Sequence, residues 1–203
     1  MCSIQGGNAI MAVLESKYKF KIFTKHSLED DFFDDVDAVV FPGGFGNSDS
    51  FDYLLKNNGS RIKQFLNEGG KYLGICMGAY WAGSYYFDIL DSVDAVQYYK
   101  RPTADTRRPH TKNIPIVWNG QQDKMFFNDG CALIGDSNKF ETIATYANGD
   151  PMAIVQNNIG LIGCHPESFP HWYESYRWMR GLYHDGRHHK LLLEFVDNLM
   201  ERK

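Results

Sequence analysis

The chain has 203 residues, a length that suits one domain with a full core, so residues 1–203 are read as a single domain. A net charge of −4, with 43% hydrophobic and 23% charged residues, is ordinary for a globular protein and excludes the basic stripe of a nucleic-acid binder. No apolar run approaches the ~20 residues that span a bilayer, and no charged leader precedes an apolar stretch at the N-terminus, so the expectation is a cytoplasmic protein with no membrane partner.

Cys2–Ile4 reads as the end of a first strand, with Gly6-Gly7 as its turn. Asn8–Ser16 then places Ile10, Val13 and Leu14 on one side of a helix. Lys19–Phe23 alternates and predicts a second strand. Asp37–Phe41 is a short apolar strand that breaks into Pro42-Gly43-Gly44. Glycines there let the backbone approach a ligand, at the strand end where open α/β sheets bind ligands.

Ser60 is placed to cap a helix running to Glu68, ended by Gly69-Gly70. Next comes Tyr72-Leu73-Gly74-Ile75-Cys76-Met77-Gly78-Ala79-Tyr80. Its G-x-C-x-G pattern is the sulfur version of the nucleophile elbow, a sharp strand-to-helix turn that presents a reactive side chain. Side chains at the two glycines would strike the neighbouring strand and helix. The helix N-terminus favours thiolate over thiol. A lone cysteine on a strand is ordinarily packing; the bracketing glycines make Cys76 the candidate nucleophile. Small residues Gly78, Ala79, Ala82 and Gly83 let the following helix lie close to the sheet.

Ser84–His110 reads as a surface excursion over the site, and its Arg101, Arg107 and Arg108 as a solvated loop. Ile114–Trp118 and Lys124–Phe127 form a hairpin about Asn119-Gly120. Phe140–Tyr146, Met152–Gln156 and Gly160–Cys164 read as three antiparallel strands joined by Asn148-Gly149-Asp150 and Asn157-Asn158. The last ends in His165-Pro166-Glu167. An aromatic segment runs from Phe169 to Tyr183, which ordinarily means core packing. Leu192, Phe195, Val196 and Leu199 then close the chain with an amphipathic helix.

A thiol needs a base, and His165 at a strand end is the candidate, with the Glu167 carboxylate to fix its tautomer. Backbone N–H groups of Met77 and Gly44 are the candidate oxyanion donors. Cys164 is assigned to packing. The four cysteines, Cys2, Cys76, Cys131 and Cys164, contain no C-x-x-C pair, which favours free thiols in a reducing compartment. His184 and His188 are four apart, but no further ligand of matching spacing makes a metal site. The reading calls for no metal and no cofactor.

Phe41-Pro42-Gly43-Gly44, Gly74-Ile75-Cys76-Met77-Gly78 and His165-Pro166-Glu167 together resemble the class I glutamine amidotransferase-like superfamily. Gly69–Tyr80 and the Trp118-Asn119-Gly120 turn look more narrowly like the amidotransferase-like N-terminal domain of biotin–protein ligases, in stand-alone form. The resemblance implies a flavodoxin-like α/β fold: a mainly parallel sheet with helices on both faces and an antiparallel β extension. It also implies a Cys76-His165-Glu167 triad that cleaves a small-molecule amide through a thioester, with Gly43 and Tyr80 against the substrate. Glutamine-using members carry Gln where this chain has Tyr80. No synthase or biotin-ligase catalytic domain is present to take up ammonia or transfer biotin, which leaves room for a partner subunit or a homo-oligomer. The alternatives are a non-catalytic ligand-binding or regulatory module on the same fold, and a PfpI-type peptidase-like hydrolase. The latter usually has His after the cysteine, where this chain has Met77.

Overall fold

A computed structural model describes residues 4–24, 31–44 and 59–202 of the chain. Its centre is a seven-stranded sheet in the order β1-β2-β9-β8-β7-β4-β5. The strands are β1 (Ala38–Phe41), β2 (Lys71–Ile75), β4 (Lys112–Trp118), β5 (Gln121–Phe127), β7 (Glu141–Tyr146), β8 (Pro151–Gln156) and β9 (Ile159–Ile162). β1, β2 and β9 pair in parallel, and the remaining neighbours pair antiparallel. Only β8 and β4 therefore oppose the common strand direction, as expected of a parallel core with an antiparallel extension. A separate antiparallel pair joins β3 (Val93–Gln97) to β6 (Cys131–Gly135).

Side-chain alternation along β2 sends Leu73 and Ile75 to one face and Tyr72 to the other. On the first face they meet Ile10 and Leu14 of α1 (Ile4–Leu14) and Leu192, Phe195, Val196 and Leu199 of α5 (Arg187–Glu201). On the second, Tyr72 meets Ile62 and Phe65 of α2 (Gly59–Asn67) and Ala79 and Trp81 of α3 (Met77–Trp81). Each of these side chains is at most 7% exposed, and full burial of one large apolar side chain contributes roughly 1.5–3 kcal/mol.

Several turns follow the sequence directly. Gly69, at φ 97°, closes α2: its N–H donates to Leu66 O and that of Gly70 to Phe65 O. This pair of bonds satisfies the last helical carbonyls and needs a left-handed residue, which glycine supplies. Asn119 and Gly120, at φ 46° and 78°, form the two-residue hairpin between β4 and β5.

Four expectations are corrected. Gly6-Gly7 is no turn: both lie inside α1, and a side chain at Gly6 would meet Gly43 O at 3.2 Å, so the helix passes that loop closely there. Ile4 opens the same helix, while Cys2 and Ser3 lie outside the described residues. Lys19–Phe23 pairs with no strand among the described residues; Phe20 and Ile22 remain exposed, while Phe23 packs against Phe32 and Phe41 and the Lys21 ammonium sits over the Phe32 ring. Ser60 lies within the first turn of α2 rather than ahead of it. The Ser84–His110 excursion contains β3, whose alternation is masked by flanking polar residues, and it buries Tyr98 flat against Tyr146 with ring centroids 3.6 Å apart.

Candidate active site

β2 and β9 deliver the central residues side by side. The Cys76 N–H donates to Ile162 O at 2.8 Å, so the cysteine stays in register with the strand that leads to His165. Cys76 itself sits at φ 51°, ψ −104°. A side chain is rarely tolerated there, and such strain persists only where surrounding structure enforces it. The enforcement is visible in its glycines. A Cβ on Gly78 would lie 1.9 Å from Phe41 O, and one on Gly74 would lie 2.5 Å from Gly78 O. The two elbow glycines thus let α3 turn off β2 against β1. The Tyr72 hydroxyl donates to Gly78 O and pins the bend from the far face.

His165 and Cys76 meet across Gly43. A side chain on Gly43 would come within 2.5 Å of His165 Cε1 and 3.5 Å of Cys76 Cβ, so glycine here makes room for both. Nδ1 of His165 lies 2.8 Å from Glu167 Oε1, which leaves Nε2 on the opposite edge of the ring. The His165 N–H donates to Phe126 O, and the Ser168 N–H donates back to His165 O. Burial opposes the charged imidazole, but the neighbouring Cys76 and Glu167, through charge and hydrogen bonding, outweigh it and hold His165 well above its ordinary value. Cys76 is 5% exposed, and its thiol points to Asn128 O at 3.5 Å. The Cys131 and Cys164 thiols are fully buried, and burial pushes both far up. They are free but shielded, as packing residues should be.

The other candidate residues occupy distinct positions. Gly44 and Gly43 line a cleft of about 130 Å³ in front of His165, together with Gln5, Thr111, Phe126, Asn128, Trp172 and Tyr176. Met77 is the first residue of α3, where a backbone N–H has no intrahelical acceptor. Tyr80 stands outside the lining; its hydroxyl donates to Asp129 O at 3.1 Å and braces the loop that carries Asn128.

That loop and the aromatic wall escaped the sequence reading as site elements. Asn128-Asp129-Gly130 follows β5 directly, with Asp129 at φ 50°, and a side chain on Gly130 would strike Gly163 O. The Asn-Asp-Gly turn signature after an apolar strand end was the available signal. The aromatic segment folds into α4 (Pro170–Glu174) and a 3₁₀ turn over Arg177–Met179. Trp172 stands edge-on to His165 and to Phe126, with centroids 5.6 and 5.4 Å away.

Behind Glu167 lies a second group of histidines. Nε2 of both His184 and His189 lies 3.0 Å from Ser168 O, each placed to donate to that carbonyl. The His188 N–H donates to His184 Nδ1, and the two rings stack at 4.2 Å. Nε2 of His188 lies 3.1 Å from Asp123, which also accepts two of the guanidinium bonds of Arg187. Among the described residues no group of three or more His, Cys, Asp or Glu has metal-site geometry. Nor is any described helix long and apolar enough to cross a membrane.

Residues 4–97 match the family model "Biotin-protein ligase, N terminal". Solved structures match across nearly the whole chain. A glutamine amidotransferase is 18% identical at a TM-score of 0.62, covering 94% of this chain and 93% of its own. A glutamine amidotransferase from Thermotoga maritima is 13% identical at 0.69, covering 96% and 91%. A putative GMP synthase subunit from Thermoplasma acidophilum is 16% identical at 0.59, covering 100% and 95%. No curated protein matches the chain. The fold is thus that of the class I glutamine amidotransferases, and the N-terminal half is similar to the biotin–protein ligase N-terminal family.

Proposed function

On this glutamine amidotransferase-like fold, we propose a cysteine hydrolase that cleaves an amide through a thioester at Cys76. The observation that carries the reading is the His165 imidazole, held at Nδ1 by Glu167 2.8 Å away while it faces a cysteine in a strained elbow. His165 takes the thiol proton, and the thiolate attacks the amide carbonyl carbon. A C–S bond forms as the C–N bond breaks, and His165 returns the proton to the departing nitrogen, which leaves as ammonia or an amine. Water then attacks the thioester, gives a proton to His165 and releases the carboxylic acid and the Cys76 thiol. The N–H groups of Met77 and Gly44 are assigned to the oxyanion, and Glu167 to orienting and stabilising the imidazolium. A cytoplasmic setting and a partner that consumes released ammonia are part of the same proposal.

Intact-mass analysis after incubation with a panel of amides, glutamine included, tests it. The expected result is a mass gain equal to one acyl group, mapped to Cys76 and absent from Cys76→Ala. A folded wild-type protein that forms neither adduct nor product with any amide would overturn it.

One observation favours a second reading, a ligand-binding module without turnover: the Cys76 sulfur is nearly covered and turned toward Asn128 O. That reading expects a ligand to bind and be recovered unchanged.

A further inference from the structure

We propose that the cleft before His165 accepts an uncharged amide with a flat aromatic or similarly apolar acyl group, and that Trp172 selects for it. The inference rests on the Cys76 hydrolase reading and names its substrate class.

The cleft before His165 is lined by three rings, Phe126, Trp172 and Tyr176, of which Phe126 and Trp172 stand against the imidazole. Phe126 and Trp172 stand edge-on to each other and each stands edge-on to the imidazole, at 71°, 86° and 69°. Aromatic rings favour offset or edge contacts, so a fourth flat ring is a natural occupant of such a slot. The size agrees: about 130 Å³ is comparable with the ~150 Å³ cavities that hold benzene.

The wall is anchored. Trp178 donates its indole N–H to Thr111 O, Asn113 donates to Leu182 O, and Tyr173 is buried against Phe126. A ligand therefore meets preformed rings rather than a loose loop.

Trp172 also has an unmet need. Its Nε1–H is shielded from solvent and has no acceptor among the described residues. The remaining polar side chains on the lining, Gln5, Thr111, Asn128, Ser175 and Tyr176, are neutral. A free amino acid would bring an ammonium and a carboxylate to a surface whose described residues offer no counter-charge apart from His165, and desolvating an unpaired charge is costly.

Two chloroketones with the same reactive end test the selection: phenacyl chloride and a chloroketone bearing a free α-amino acid. In each, the Cys76 thiolate attacks the CH₂Cl carbon, a C–S bond forms and chloride leaves. Labelling rates are read by intact mass with peptide mapping to Cys76, each divided by the same reagent's rate with free cysteine. The expected result is a preference of at least about tenfold for the phenyl reagent. It should drop at least about threefold in Trp172→Leu, and likewise in Tyr176→Leu, for which no ring contact with His165 is seen and which guards against a disturbed His165 in the first variant. A wild-type preference under tenfold, or one that neither substitution reduces, overturns the ring pocket and leaves the nucleophile standing. A Cys76 that neither chloroketone nor iodoacetamide labels overturns both.

Discussion

His165 and His184 are both buried and both attached to the four-residue stretch from His165 to Ser168, yet their surroundings drive their protons in opposite directions. His165 has a carboxylate on one edge and a cysteine near the other, and is held well above its ordinary value. His184 meets a backbone carbonyl, the N–H of His188 and the stacked His188 ring; burial, then the neighbouring imidazole, pulls it down to about 3. His188 touches Asp123, but Arg187 already claims that carboxylate, and burial wins there too. Burial is shared, so the partner decides: an anion favours the protonated form of one imidazole, and a neutral carbonyl leaves the other uncharged.

The contrast breaks most visibly in turnover. His165→Asn keeps an N–H for Glu167 but cannot carry a proton, and is expected to lower kcat/KM on an accepted amide by about 10³-fold. His184→Ala is expected to change it by less than about tenfold, since His189 still holds Ser168 O. Comparable losses in the two variants would erase the distinction.

Stability reverses the order. His184→Ala removes a buried, hydrogen-bonded ring and is expected to cost about 2–3 kcal/mol, read as a lower urea midpoint.

The pH dependence sharpens it further. His184 and His188 are both depressed in the folded state, so their contributions are present above the unfolded value near 6.5 and are lost as pH falls below it, that of His184 down to about 3. Unfolding free energy should fall with acidification between pH 6.5 and 4, by up to about 1.4 kcal/mol per pH unit from His184, with His188 adding in the same direction. Asp123, held at about 2 with Arg187 and His188 against it, keeps its own loss below that window. His165 has the opposite sign: its contribution is present below 6.5 and lost as pH rises through its raised folded value. Urea midpoints at several pH values, wild type against His184→Ala, check the slope, which the variant should flatten.

Glu167→Gln leaves an amide against Nδ1 that no longer stabilises the charged ring, and is expected to lower kcat/KM by at least about tenfold.

The parts legible in the sequence are those set by local sterics. Gly74 and Gly78 announced the elbow because backbone atoms of Phe41 and Gly78 occupy the space that side chains would need. His165 and Glu167 were legible because two residues and a proline fix their separation. Gly6-Gly7 misled because a glycine pair ordinarily marks a turn, whereas here both lie inside a helix that passes Gly43 closely at Gly6, a tertiary fact. The β3–β6 pair joins segments more than thirty residues apart and left only weak alternation in each. The Asn128 loop and Trp172 reach the site from β5 and α4, and nothing in the local pattern told a core aromatic from one facing a cleft.

The central claim, that His165 activates Cys76, is tested most directly by the rate of iodoacetamide labelling at Cys76 near pH 6, in wild type and His165→Asn. The account predicts labelling at least about tenfold faster in wild type, with Cys131 and Cys164 unlabelled in both until the protein unfolds. Equal Cys76 rates in the two proteins, or first labelling at Cys131 or Cys164, would contradict it.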